Sequence, residues 1–183
     1  MELVLGALFR KKVSEEKVST LFVNNVLNSV DSAFPDVADL INNDIQLDRK
    51  ATIGSENQDT FLMIIITGNF LALSEYFEDG QDDRIRDLVI DKLSEVYEVT
   101  PEEMAGAVHS MTSFFGKVNF PSKKTLYAMS KSVFHRYGLN EFQKPFFKEK
   151  NVPDPILLKH IDEIMEQFLI DWNEFTDKFR ITD

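Results

Sequence analysis

The chain has 183 residues, a formal net charge of −11, 16 phenylalanines, 7 glycines and no cysteine. That length suits one domain able to bury a core without covalent help. Without cysteine the chain has no disulfide, zinc–thiolate site, iron–sulfur cluster or cysteine nucleophile, and a cytoplasmic location is expected.

Apolar residues recur at three- and four-residue intervals and alternate with polar ones nowhere for long. The expected fold is therefore all-α, a single-domain helical bundle of about six to seven helices over residues 1–183. The opening "MELVLGALFRKK" does not read as a signal peptide, because Glu2 precedes its apolar stretch and Arg10, Lys11 and Lys12 follow it. Residues 1–13 are expected to be a flexible or docking segment.

The first helix opens after Ser14, a candidate cap followed by Glu15 and Glu16, and carries the stripe Val18, Leu21, Phe22, Val26 and Val30. Pro35 is expected to end or bend it, with a short second helix from Pro35. The run "FLMIIITGNFLALSEYF" lies in a helix expected over 58–78. Its side chains are apolar in nearly every direction, the pattern of a helix enclosed on all sides. A bilayer span is disfavoured by Gly68, Asn69 and acidic residues at both ends. Asn69 projects among apolar neighbours, so it is expected to be buried and hydrogen-bonded to a neighbouring helix, with a ligand contact as the alternative.

"QDDRIRDLVIDKLSEVYEV" is amphipathic and bears Asp83, Asp87, Asp91 and Glu95 as one acidic ridge. "TPEE" at 100–103 is a capping box with proline at the first helical position. The helix it opens, 101–116, carries no charge over residues 104–116. Its small neutral side, Gly106, His109, Ser110 and Ser113, is expected to lie under another helix, making 58–78 and 101–116 two central helices. A further helix over "PSKKTLYAMSKSVFHRYG" turns Lys124, Lys131 and His135 outward as a candidate basic interaction surface and stops at Gly138. After a proline-rich connector, one last helix is expected from near Pro155 to Phe179, ending in Trp172, Phe175 and Phe179.

No spacing carries recognisable catalysis. The three histidines form no Glu-x-x-His pairs, and His160 with Glu163 reads as the polar back of the last helix. His109 and Ser113 stand one turn apart without a nucleophile turn or an oxyanion hole, so no catalytic residue, metal or cofactor is assigned. Asn69, His109 and Ser113 are kept as candidate buried polar or ligand contacts. Charge is segregated: residues 75–103 hold eleven acidic and three basic side chains, and residues 117–150 two acidic and eight basic. These segments could attract one another within or between molecules. Nucleic acid is disfavoured by the overall negative charge, and no membrane partner is expected.

The functional expectation is a non-catalytic helical protein-interaction or regulatory module whose partner is another protein or itself. Trp172, Phe175 and Phe179 are the expected homodimer contact, unless Leu3 to Phe9 cover them in the same chain. The second reading is an apolar small molecule bound in a phenylalanine-lined cavity.

Overall fold

The computed structural model describes residues 10–77 and 80–182. Among them are eight α-helices, α1 (Glu15–Asn42), α2 (Gln58–Leu73), α3 (Gln81–Tyr97), α4 (Pro101–Asn119), α5 (Thr125–Arg136), α6 (Pro145–Lys150), α7 (Pro155–Glu166) and α8 (Trp172–Lys178). Two short strands, β1 (Lys11–Ser14) and β2 (Phe179–Thr182), pair in parallel, so the fold is an all-α helical bundle with one minor strand pair. No helix among the described residues is long and apolar enough to cross a membrane.

The ends follow their local chemistry. Ser14 Oγ accepts the Lys17 amide at 3.2 Å, and Thr100 and Glu103 exchange backbone-to-side-chain bonds at 2.9 and 3.2 Å. That box holds the exposed Glu103 carboxyl below its usual range. Glycines at positive φ stand before α3 (Gly80, 75°) and after α5 (Gly138, 62°), where an L side chain would be strained.

The chain packs as two compact units. The first comprises residues 10–25, 69–106 and 170–182, apart from 78 and 79. Its centre is aromatic: Phe22 lies 5.5 Å from Phe70, and Phe77 meets the edge of Trp172 at 5.3 Å. Ile85, Val89 and Leu93 of α3 are buried. The carboxylate of Glu15, itself buried, takes a 2.8 Å bond from Arg84 and a 3.0 Å bond from Gln81, which hold its pKa low against the opposing effect of burial. The second unit comprises residues 26–68 and 107–169. Phe34 and Phe61 pack at 5.3 Å, Phe61 meets Phe168 edge-on at 5.1 Å, and α5 lies against α7. A Cβ on Gly68 would stand 2.4 Å from Met129 Sδ, so α2 and α5 approach closely there because position 68 has no side chain.

Four expectations change. The first helix runs through Pro35 as one element, and Val37, Ala38 and Ile41 carry its buried stripe on from Phe34 past the proline. α2 ends at Leu73, well before Gly80. The connector after Gly138 contains a 3-10 turn and α6. The last helix is two: α7 stops at Glu166 and α8 begins at Trp172. The cause of that break is Asn69. It is fully buried, as expected, and its Oδ1 accepts the Ile170 amide at 2.8 Å, the amide a continuous helix would give to Glu166. Asp171 then caps α8 through a 2.9 Å bond from the Glu174 amide. The turn carries Trp172 into the core at 2 % exposure, so the expected projecting aromatic end is absent, and Phe175 and Phe179 are only half-buried. The expected cover from Leu3 to Phe9 lies outside the described residues; of the 1–13 segment, Arg10 approaches Asp177 at 3.8 Å and Lys11 to Val13 belong to β1.

Asn69→Ala is expected to lower stability by about 1–3 kcal/mol, the cost of removing the buried side chain that accepts the half-buried Ile170 amide. Urea unfolding checks it, and an unchanged midpoint would show that the amide finds another acceptor.

Candidate functional site

The distinctive surface of this protein follows from a gap in its sequence: between Glu103 and Glu141 there is no aspartate or glutamate, while Lys117, Lys123, Lys124, Lys131 and Arg136 all fall there. A helix normally pairs such cations with carboxylates three or four residues away. Here it cannot. Residues 107–140 belong wholly to the second unit, as the latter part of α4, the connecting loop and α5.

α5 buries Ala128, Met129, Ser130, Ser132, Val133 and Phe134, so its other side must face outward. Lys124 is its N-cap, its carbonyl accepting Asn119 Nδ2 at 3.1 Å and its amide donating to Ser122 Oγ at 3.2 Å. At the other end the Tyr137 hydroxyl donates to the Asn57 carbonyl at 3.1 Å, and burial raises its pKa so that it keeps that proton. Between these ties Lys124, Tyr127, Lys131 and His135 form a stripe with one side chain per turn.

Aromatic rings take the place of carboxylates under two of the five cations. Lys131 Nζ lies 4.5 Å from the Tyr127 ring centre, and the Arg136 guanidinium lies 4.0 Å from that of Phe114 on α4. His135 is exposed and meets Phe134 edge-on at 5.1 Å. Partial burial first, and then the charge of Lys131, keep its pKa below the usual histidine value. Lys117, Lys123 and Lys124 are exposed, and Phe120 in the loop is 82 % exposed. Among the described residues no ion pair engages any of these cations. The surface is therefore cationic, ring-backed at Lys131 and Arg136, and without counter-charge among the described residues.

Lys124, Lys131 and His135 were legible in the sequence and are brought together on this stripe. Tyr127, Phe114, Arg136 and Phe120 were not selected; the i, i+4 spacing of Tyr127 and Lys131 could have found the first pair, whereas no spacing links Phe114 to Arg136. The expectation for His109 and Ser113 is corrected. α4 buries one stripe, Met104, Val108, Met111 and Phe115, and leaves Gly106, His109, Ser110 and Ser113 exposed. Four apolar residues at helical spacing satisfy one packed face, and freedom from charge on the opposite face did not require cover. His109 and Ser113 share no hydrogen bond among the described residues, and neither is a buried contact. Asn69 is committed to Ile170.

Elsewhere His160 Nδ1 lies 2.7 Å from Asp44 Oδ2, tying α7 to the loop after α1. Among the described residues no cluster of His, Asp or Glu is arranged to hold a metal ion. The phenylalanines pack mostly on one another. The crevice beside Phe22, Trp172 and Phe175 encloses about 90 Å³, below the ~300 Å³ at which small-molecule pockets begin, and an open cleft of about 300 Å³ beside Pro35 is lined by a single phenylalanine, Phe34. Comparison with known family models, curated proteins and solved structures yields no match.

His109→Ala and Ser113→Ala are each expected to shift unfolding free energy by less than about 0.5 kcal/mol, as for exposed positions. Chemical denaturation measures this, and a loss of about 2 kcal/mol or more would contradict the exposure of this side of α4.

Proposed function

We propose that this chain is a non-catalytic protein-interaction module that docks an acidic helical segment of a protein partner on the outer face of α5. The observation that carries this reading is the set of five cations on residues 117–136 that meet no carboxylate among the described residues, two of which, Lys131 and Arg136, rest on rings. Cations left unneutralised on a firm aromatic base attract anions at little cost in side-chain ordering, because the rings already limit their motion.

The partner's size follows from screening. At physiological salt charges act over about 8 Å, so an acidic helix of three turns senses mainly this stripe. A long polyanion would run onto the acidic remainder of a chain with net charge −11 and be repelled, which disfavours nucleic acid. Phe120, exposed in the loop between α4 and α5, offers an apolar anchor of the kind that concentrates binding energy at interfaces. The absence of cysteine suits a reducing, cytoplasmic setting.

A poly-glutamate peptide is the direct probe. It is expected to bind the wild-type chain with an affinity that falls as salt rises, and Lys124→Glu with Lys131→Glu is expected to weaken it tenfold or more while helical circular dichroism is retained. Fluorescence anisotropy measures both. Binding that ignores the double substitution, or single-stranded DNA of equal charge binding more tightly than the peptide, would refute the reading.

A further inference from the structure

The acidic counterpart that this surface requires is present on the chain itself. On α3, Asp83, Asp87, Asp91 and Glu95 are all exposed. Asp83 is engaged by Arg86 at 3.0 Å, whereas among the described residues no ion pair or hydrogen bond engages the carboxylates of Asp87, Asp91 or Glu95. The neighbouring cations of α3 are already occupied: Arg84 holds Glu15, Arg86 holds Asp82 and Asp83, and Lys92 holds Glu16. The protein therefore carries two outward-facing helical stripes of opposite sign, and among the described residues no ion pair neutralises the α5 cations or Asp87, Asp91 and Glu95.

We propose that the partner of the α5 face is a second copy of this chain, whose α3 ridge lies antiparallel across it. This rests on the reading above and names its partner. The spacings agree: Asp87 to Glu95 is eight residues, about 12 Å along α3, and Lys124 to Lys131 is seven, about 10.5 Å along α5. With Glu95 over Lys124, Asp87 comes over Lys131 and Asp91 falls opposite Tyr127, whose hydroxyl can donate to it. The antiparallel sense also opposes the two helix dipoles favourably. It carries the C-terminal end of α3 to the start of α5, where Val96, 55 % exposed, and the exposed Val99 meet Phe120. Charge fixes the register and this apolar end supplies desolvated area. Because the two surfaces differ, the contact is heterologous, and each copy presents both halves of it.

Light scattering of the full chain tests this with two charge-reversed variants, Asp87→Lys with Asp91→Lys and Lys124→Glu with Lys131→Glu. At about 0.05 M salt the wild-type mass is expected to exceed the 21.1 kDa of one chain and to rise with concentration, falling back at about 0.5 M salt. Each variant alone is expected to remain at one chain. In an equimolar mixture of the two, each variant keeps one intact half of opposite sign, and association is expected to return to at least half the wild-type extent. A wild-type chain that binds poly-glutamate yet stays at 21.1 kDa would overturn the self-pairing while leaving the acidic-segment reading in place. Failure to bind poly-glutamate would remove both. Association unaffected by either variant would assign self-contact to another surface and also overturn the proposal.

Discussion

A single hydrogen bond, from the Ile170 amide to Asn69 Oδ1, decides how the C-terminal part of this chain is laid down. An amide in the middle of a nonpolar helix would be costly to bury unpaired, at about 1–3 kcal/mol, and an amide proton removed from the helical ladder also needs an acceptor. The two requirements answer each other. Asn69 gains a donor, Ile170 leaves the α7 ladder, and the preceding amides of Gln167, Phe168 and Leu169 tighten onto carbonyls three residues back. The chain then turns at Asp171 and Trp172 enters the aromatic cluster of Phe22, Phe77 and Phe175. Trp172 thereby becomes core, while Phe175 and Phe179 stay half-buried.

With Trp172 withdrawn, segregated charge is what the proposed recognition draws on. A chain of net charge −11 normally scatters its cations among its carboxylates, as α3 does with Arg84, Arg86 and Lys92. Residues 104–140 contain no carboxylate to do this, and two of their five cations, Lys131 and Arg136, settle on Tyr127 and Phe114. A ring quadrupole attracts a cation without cancelling its charge, so the field of the α5 stripe still reaches outward. The carboxylates of Asp87, Asp91 and Glu95 are left over by the same arithmetic on α3. Segregation along the sequence thus becomes complementarity between surfaces.

What could be read in the sequence was what local spacing determines. Caps at Ser14 and Thr100 need only three residues, the enclosure of residues 61–73 needs only their uniform apolarity, and the stripe of Lys124, Lys131 and His135 needs only the helical period. The break between α7 and α8 was not legible, because the stripe from Leu157 to Phe179 keeps helical spacing across it. Its cause lies 101 residues away. The passage of α1 through Pro35 was hidden for a related reason: proline's local cost is visible, and the buried stripe that continues past it is a tertiary property. The uncharged side of α4 misled because a missing charge resembles burial in sequence. The pairing of β1 with β2 joins the two ends of the described chain and leaves no periodic trace in either four-residue strand.

The central claim is that the cations of α5 meet the free carboxylates of α3 from another molecule, and zero-length carbodiimide coupling of an equal mixture of ¹⁵N-labelled and unlabelled chains, read by mass spectrometry, addresses it most directly. The account predicts isotope-mixed cross-links joining Lys124 or Lys131 of one chain to Asp87, Asp91 or Glu95 of another, lost at high salt. Isotope-pure links alone from these lysines, or mixed links that place them on other carboxylates, would contradict it.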